Sequence, residues 1–125
     1  GLPVKIIDNG DPYLEHLKET VKSVSRKLPF SCGLHLSFQS RTGPAKWLEP
    51  DTRDLIKELA AKGAENIAIV PISFVSENLE TLFDQDIIIN ESALDAGIKT
   101  FYRIHAFNDR DSFIECMKKM ILEYE

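Results

Sequence analysis

Cysteine is scarce in this chain: two residues, Cys32 and Cys116, in 125. They lie far apart, and neither has a partner at ligand spacing. That excludes a CxxC redox pair and a disulfide-stapled miniprotein, and it reads as a reduced, cytosolic protein with two small buried thiols. No apolar run approaches the ~20 residues of a transmembrane helix; the longest such stretch, Ile67 to Val75, contains Pro71 and Ser73. There is no GxGxxG and no P-loop, so dinucleotide and nucleotide readings lack a phosphate cradle. A basic excess is also missing. Lys and Arg number 15 against 20 Asp and Glu, for a net charge of −5, which argues against a nucleic-acid partner. Internal repeats, low-complexity tracts and interdomain linkers are absent. What remains is 43% hydrophobic and 28% charged, the makeup of one modest globular domain. The chain starts at Gly1, with no methionine and no signal peptide, and reads as a piece of something longer.

Asp11 is placed to cap a helix with Pro12 at its first position, and Leu14, Leu17, Val21 and Val24 recur at helical spacing until Pro29. Leu34 to Ser40 alternates with period two and predicts a strand. Arg41 to Pro50 is too broken for regular structure and predicts a long loop. Asp51 or Thr52 opens a second helix, with Leu55, Ile56 and Leu59 inside and Gly63 as the stop. Asn66 to Phe74 is nearly continuous β-branched and apolar sequence, a strand buried on both faces as in parallel sheets. Ser76 is a suitable N-cap for a third helix running to Ala96 and ended by Gly97. Ile98 to Ile104 predicts a third strand, and Asp109 to Glu125 a last helix with Phe113, Met117, Met120 and Ile121 on one face. The order α-β-α-β-α-β-α implies an α/β fold: a three-layer, Rossmann-like domain with a parallel sheet over residues 1–125. Ligands then gather beyond the carboxyl ends of the strands, at Gln39 to Trp47, Ser73 to Glu80 and His105 to Asp109.

Two of these segments hold unusual residues. Glu77, Glu80 and Asp84 stand at i, i+3 and i+7; seven residues come within roughly 20° of two full α-helical turns, so all three share one face. Carboxylates stacked in this way suit metal ions or proton handling; a solvated acidic face at a helix start is the plain alternative. Gln39, Ser40, Arg41, Thr42 and Gly43 with Trp47 offer amide, hydroxyl, guanidinium and indole groups to a flat, anionic, aromatic ligand. The alternative is an ordinary loop whose Trp47 plugs the core. The histidines say less: His16 reads as a surface residue, His35 as a satisfied structural one, and His105 ends a strand with nothing at ligand spacing.

Four blocks together resemble the C-terminal half of a ferrochelatase, the enzyme that inserts ferrous iron into a porphyrin. They are Gly1-Leu2-Pro3 with Gly10-Asp11-Pro12-Tyr13; Gln39 to Pro44 with Trp47-Leu48; Pro71 to Glu77 with Leu79-Glu80-Thr81-Leu82; and Asn108-Asp109. The resemblance spans the whole chain. It implies two similar Rossmann-like domains with the porphyrin in a cleft between them, the first domain lying outside this chain. It also implies a histidine directly before Gly1, as metal ligand or pyrrole proton acceptor, which this chain does not include. By the same resemblance Glu80 is that histidine's partner across the macrocycle, a catalytic and metal-facing group, and Asp84 continues the acidic row; Gln39, Ser40, Arg41 and Trp47 face the porphyrin. Three positions depart from many relatives: Asn78 in place of histidine, Phe83 in place of tyrosine, and Ile88 where some carry an acid. No C-terminal cysteine cluster is present for an iron–sulfur centre.

These residues suit the chemistry implied. Metallation removes two pyrrole protons and strips water from iron, and a carboxylate row supplies both an oxygen-rich route for the ion and a proton relay. The expectation is therefore a bacterial-type ferrochelatase domain acting on protoporphyrin IX, with Fe²⁺ as substrate and no cofactor required. Its partners are the porphyrin, iron and the first domain of the same polypeptide; its place is the cytoplasm, with peripheral membrane association left open. Alternatives are a coproporphyrin ferrochelatase, a cobalt or nickel chelatase of related fold, and a non-catalytic metal or tetrapyrrole carrier. The 125-residue chain alone is expected to be inactive and, with an open sheet edge, to self-associate.

Overall fold

Strand-forming sequence became strand here only where a second strand lay within hydrogen-bond reach. In the computed structural model, which describes residues 1–39 and 41–124, Asn66–Ile69 (β1) and Thr100–Arg103 (β2) pair in parallel, with Asn66 opposite Thr100 and Ile69 opposite Arg103. The helices are Val4–Asp8 (α1), Tyr13–Ser25 (α2), Thr52–Ala61 (α3), a π-helix over Glu80–Ile89, Asn90–Asp95 (α4) and Asp111–Leu122 (α5). This is an α/β arrangement built on a small, open parallel sheet.

The helix signals in the sequence act as expected at several ends. Asp51 caps α3, its Oδ1 accepting from the amides of Arg53 (2.9 Å) and Asp54 (3.4 Å). Asp11 accepts from the Tyr13 amide at 2.8 Å, so it still serves α2, although that helix begins one residue after Pro12. Gly63 and Gly97 stop α3 and α4 with φ of 91° and 98°, a left-handed conformation that residues with a Cβ adopt reluctantly.

Elsewhere the structure corrects the reading. The stretch from Leu34 to Gln39 forms no strand. Phe38 donates to Pro50 O at 2.9 Å and accepts from Thr52 N at 3.3 Å, an isolated parallel bridge to Asp51. With no neighbouring strand among the described residues, alternation alone cannot make a ladder. The middle strand ends at Ile69, not Phe74. Pro71 has no amide to donate, and the chain turns with Ile72 N on Val70 O and Phe74 N on Pro71 O. Nor is this strand buried on both faces. Ile67, Ile69 and Phe101 pack on Ile56, Ile89, Ala93 and Ile98, which come from α3, the π-helix, α4 and the turn after it. The other face stays open, with Tyr102 65% exposed. One layer of helices covers the sheet where three-layer burial was expected.

The helix expected from Ser76 to Ala96 starts later and begins as a π-helix. Ser76 does not cap it. Asn78 does, its Oδ1 accepting from Glu80 N (2.9 Å) and Thr81 N (3.3 Å). Both cysteines are exposed rather than buried, as is His35. Cys32 and His35 lie on the irregular segment before Phe38, and Cys116 on α5. In α5 only Phe113 and Met117 are half-buried, and Phe113 stacks on Phe107 with centroids 5.4 Å apart; Met120 and Ile121 are exposed. A second small core joins Leu17, Phe38 and Leu48 with Leu2, Val4, Ile7, Tyr13, Leu14, Leu36 and Ile72.

Candidate functional site

Three stretches remote in sequence meet where the second core touches the π-helix. Trp47 pairs with Pro3 in an antiparallel bridge, with Val4 N donating to Lys46 O (2.8 Å) and Leu48 N to Leu2 O (3.0 Å). This stitch brings Gly1 against the end of the Leu34–Gln39 stretch, where its amino group donates to Gln39 O at 2.8 Å. Partial burial lowers the pKa of that amine, and the nearby Glu80 carboxylate works in the opposite direction. The Gln39 side chain turns to the π-helix. Its Nε2 donates to Asp84 Oδ2 (3.3 Å), and its Oε1 accepts from Gln85 Nε2 (2.9 Å). Gln85 is buried; Gln39, Glu80 and Asp84 are half-buried. Gly1, Gln39, Glu80 and Asp84 therefore share one neighbourhood.

The other expected site residues are placed differently. Ser40 lies outside the described residues. Arg41 is exposed and reaches back to Asp51, Nε to Oδ2 at 3.5 Å, so it leans on the start of α3. Trp47 is half-buried, and its indole Nε1 is enclosed with no hydrogen-bond partner among the described residues. Tyr13 Oη meets Ser73 Oγ at 3.2 Å, linking α2 to the loop before the π-helix. Two surface hollows, of about 340 and 360 Å³, lie along α2 and the segment after it; none of Gln39, Glu80, Asp84 or Trp47 lines either.

Glu77 does not join Glu80 and Asp84 on a solvated acidic face. The chain is not yet helical at Glu77, so α-helical spacing does not govern it. Its carboxylate accepts from Arg103 Nη1 at 2.8 and 2.9 Å, from Ala106 N at 2.9 Å and from the Thr81 hydroxyl at 2.5 Å. His105, itself exposed, brings Nδ1 to 3.3 Å from the same carboxylate. The Thr81 and Arg103 hydrogen bonds hold the Glu77 carboxyl down at about 2, against the upward push of burial. Arg103 also grips Asp86, Nε to Oδ1 at 2.5 Å and Nη2 to Oδ2 at 2.7 Å. These bonds push the guanidinium further up, so it is permanently cationic.

This network escaped the sequence reading. One signal could have found it: in β2 the inward positions are Phe101 and Arg103, and a cation facing a core requires carboxylates to meet it. Among the described residues no three His, Cys, Asp or Glu side chains close into a ready-made metal cage. Among the described residues no helix is long and apolar enough to cross a membrane.

An α/β module that presents carboxylates from a π-helix beside an amide-bearing loop is thus the class that fold and site define. Residues 1–125 match the family model for ferrochelatase. The chain is 44% identical over 121 residues to a ferrochelatase of Geotalea daltonii, covering 97% of this chain and 38% of that protein. It is 45% identical over 121 residues to that of Geotalea uraniireducens, with the same coverage. To the ferrochelatase of Trichodesmium erythraeum it is 44% identical over 124 residues, covering 98% of this chain and 32% of that protein. The chain belongs to the ferrochelatase family, and it spans about a third of the length of the curated relatives it matches.

Proposed function

We propose that this chain is the C-terminal part of an enzyme that inserts ferrous iron into protoporphyrin IX, and that Glu80 and Asp84 are its acid–base and metal-facing groups. The observation that carries the reading is the convergence of Gly1, Gln39, Glu80 and Asp84, drawn from three separate blocks of the family resemblance. In the longer polypeptide a residue before Gly1 would enter beside Gln39 and Glu80. The histidine expected there would then face Glu80 across a bound macrocycle.

The reaction exchanges two pyrrole N–H protons for one Fe²⁺. Glu80 and the histidine expected before Gly1 each accept one of the two protons as the ion seats; Asp84, next along the helix, passes protons outward toward water. The Gln39 amide orients the Asp84 carboxylate through its hydrogen bond. Gln39, Ser40, Arg41 and Trp47 form the porphyrin side of the cleft, where the guanidinium suits a propionate and the indole a ring face. No cofactor is needed beyond the two substrates. The full protein has two Rossmann-like α/β domains, works in the cytoplasm, and closes its cleft with the first domain. The 125-residue chain alone binds neither substrate productively, and it self-associates.

The test is steady-state iron insertion by the full-length protein, with protoporphyrin IX and coproporphyrin as competing substrates. Turnover that prefers protoporphyrin supports the proposal. Preference for coproporphyrin reassigns the substrate; porphyrin binding without insertion of iron, cobalt or nickel makes the protein a carrier.

A further inference from the structure

Arg103 is the only fully charged side chain buried among the described residues, with its side chain 2% exposed. It closes two carboxylate contacts at once. On one side Nη1 reaches both oxygens of Glu77, three residues before the π-helix; on the other, Nε and Nη2 take the two oxygens of Asp86, inside that helix. Glu80 and Asp84 lie between these grip points on the same span of backbone. The Glu77 end is itself fixed to the loop after β2 by the Ala106 amide, and to the helix by the buried Thr81 hydroxyl. A strand end, a loop and a helix are therefore locked through one planar guanidinium.

We propose that Arg103 is a positioning residue for metal insertion: by gripping the π-helix at Glu77 and Asp86 it sets where the Glu80 and Asp84 carboxylates stand. This rests on the reading of Glu80 as an acid–base group. The geometry explains why the residue must be arginine. A planar fork of five N–H donors serves two carboxylates in fixed directions, whereas a lysine ammonium on a flexible stem can keep the charge but not both bidentate contacts. A π-helix makes the need acute, since its i→i+5 pattern is seldom held for long by the backbone alone. Loosening either grip lets the span relax, and a shift of about 1 Å in a positioned group costs up to ~10²-fold in rate.

The experiment uses the full-length enzyme and three variants, Arg103→Lys, Asp86→Asn and Glu80→Gln. Porphyrin-binding sites are counted by fluorescence titration, and iron insertion is expressed per site, so misfolded protein does not lower the rate. Expected is a kcat per site down ~10-fold in Arg103→Lys and ~5-fold in Asp86→Asn, with porphyrin KM within ~2-fold of wild type. A purely structural salt bridge would lower the number of sites and leave kcat per site unchanged; that result overturns the proposal. If Arg103→Lys does not fold, Asp86→Asn decides alone by the same criterion. Glu80→Gln separates the two levels. If it turns over like wild type, the reading of Glu80 fails, and the positioning role with it. If it loses turnover while Arg103→Lys and Asp86→Asn keep theirs, only the role of Arg103 fails.

Discussion

The π-helix and the residues just before it carry two pairs of acids, and the protein holds them by opposite means. Toward β2, Glu77 and Asp86 share one buried guanidinium, which hydrogen-bonds both and offsets one of their two charges. Toward the Gly1–Gln39 side, Asp84 meets a neutral primary amide, and Glu80 stands near Gly1. The Thr81 hydroxyl and then the Arg103 guanidinium hold the Glu77 carboxyl down at about 2. An amide fixes direction and leaves the charge in place. Acids that look alike in the sequence are thus sorted by their surroundings: Glu77 and Asp86 are fixed on a buried cation, while Asp84 is oriented by an amide.

The largest expected effect falls on Glu80 and Asp84. Glu80→Gln in the full-length enzyme should lower iron insertion ~10²-fold or more, the scale of losing a positioned acid–base group, and Asp84→Asn should lose less. Both should keep the circular dichroism of the wild type. On the other pair the damage should appear as instability. Arg103→Met strands two carboxylates, one of them partly solvated, and should cost about 3 kcal/mol, near the lower end of the range for breaking buried pairs. Denaturant unfolding of the full-length protein measures this, and a loss below about 1 kcal/mol would dissolve the contrast.

Trp47→Ala separates packing from binding. A half-buried indole accounts for about 2 kcal/mol of stability, less than the ~3–5 kcal/mol of a fully buried one. Porphyrin affinity that falls further than this loss explains places Trp47 at the ligand. Intact affinity in the folded fraction makes it core filler.

Acid should discriminate as well. The Glu77 carboxyl is lowered in the folded protein from an ordinary 4.5 to about 2. Between those values the unfolded chain binds the proton and the native one does not, so stability rises with pH there. The contribution is complete above about 4.5 and is lost as pH falls toward 2. Glu77→Gln should flatten that part of the stability profile, and an unchanged acid limb would count against the Arg103–Thr81 grip. The smallest effect is expected for Gln39→Ala, about 1 kcal/mol from two lost hydrogen bonds, one of them to a partly buried carboxylate.

Features that are local were legible in the sequence. Asp51 and Gly63 bound α3, Gly97 ends α4, and β1 and β2 are parallel with a helical crossover between them, all from spacing and caps. The Leu34–Ser40 strand failed because a strand needs a neighbour, which alternation cannot supply. Short α1 carried too few residues for a periodic signal. The π-helix was read as α because Ile87, Ile88 and Ile89 suit either register, and helical spacing then wrongly aligned Glu77 with Glu80 and Asp84. The pairing of Glu77 with Arg103 joins residues 26 apart in sequence, so only tertiary structure could reveal it. Glu80 and Asp84 stood out by their spacing and Gln39 by its loop, and the resemblance gave them roles; their meeting is what the structure adds.

The contrast between the two pairs is tested most directly by measuring kcat and thermal unfolding midpoint together for Glu80→Gln and Glu77→Gln in the full-length enzyme. Expected is a double dissociation: Glu80→Gln loses ~10²-fold in kcat with its midpoint unchanged, while Glu77→Gln loses less than ~10-fold in kcat and unfolds several degrees earlier. A folded Glu80→Gln enzyme working near the wild-type rate, or a Glu77→Gln enzyme as stable as the wild type, would contradict it.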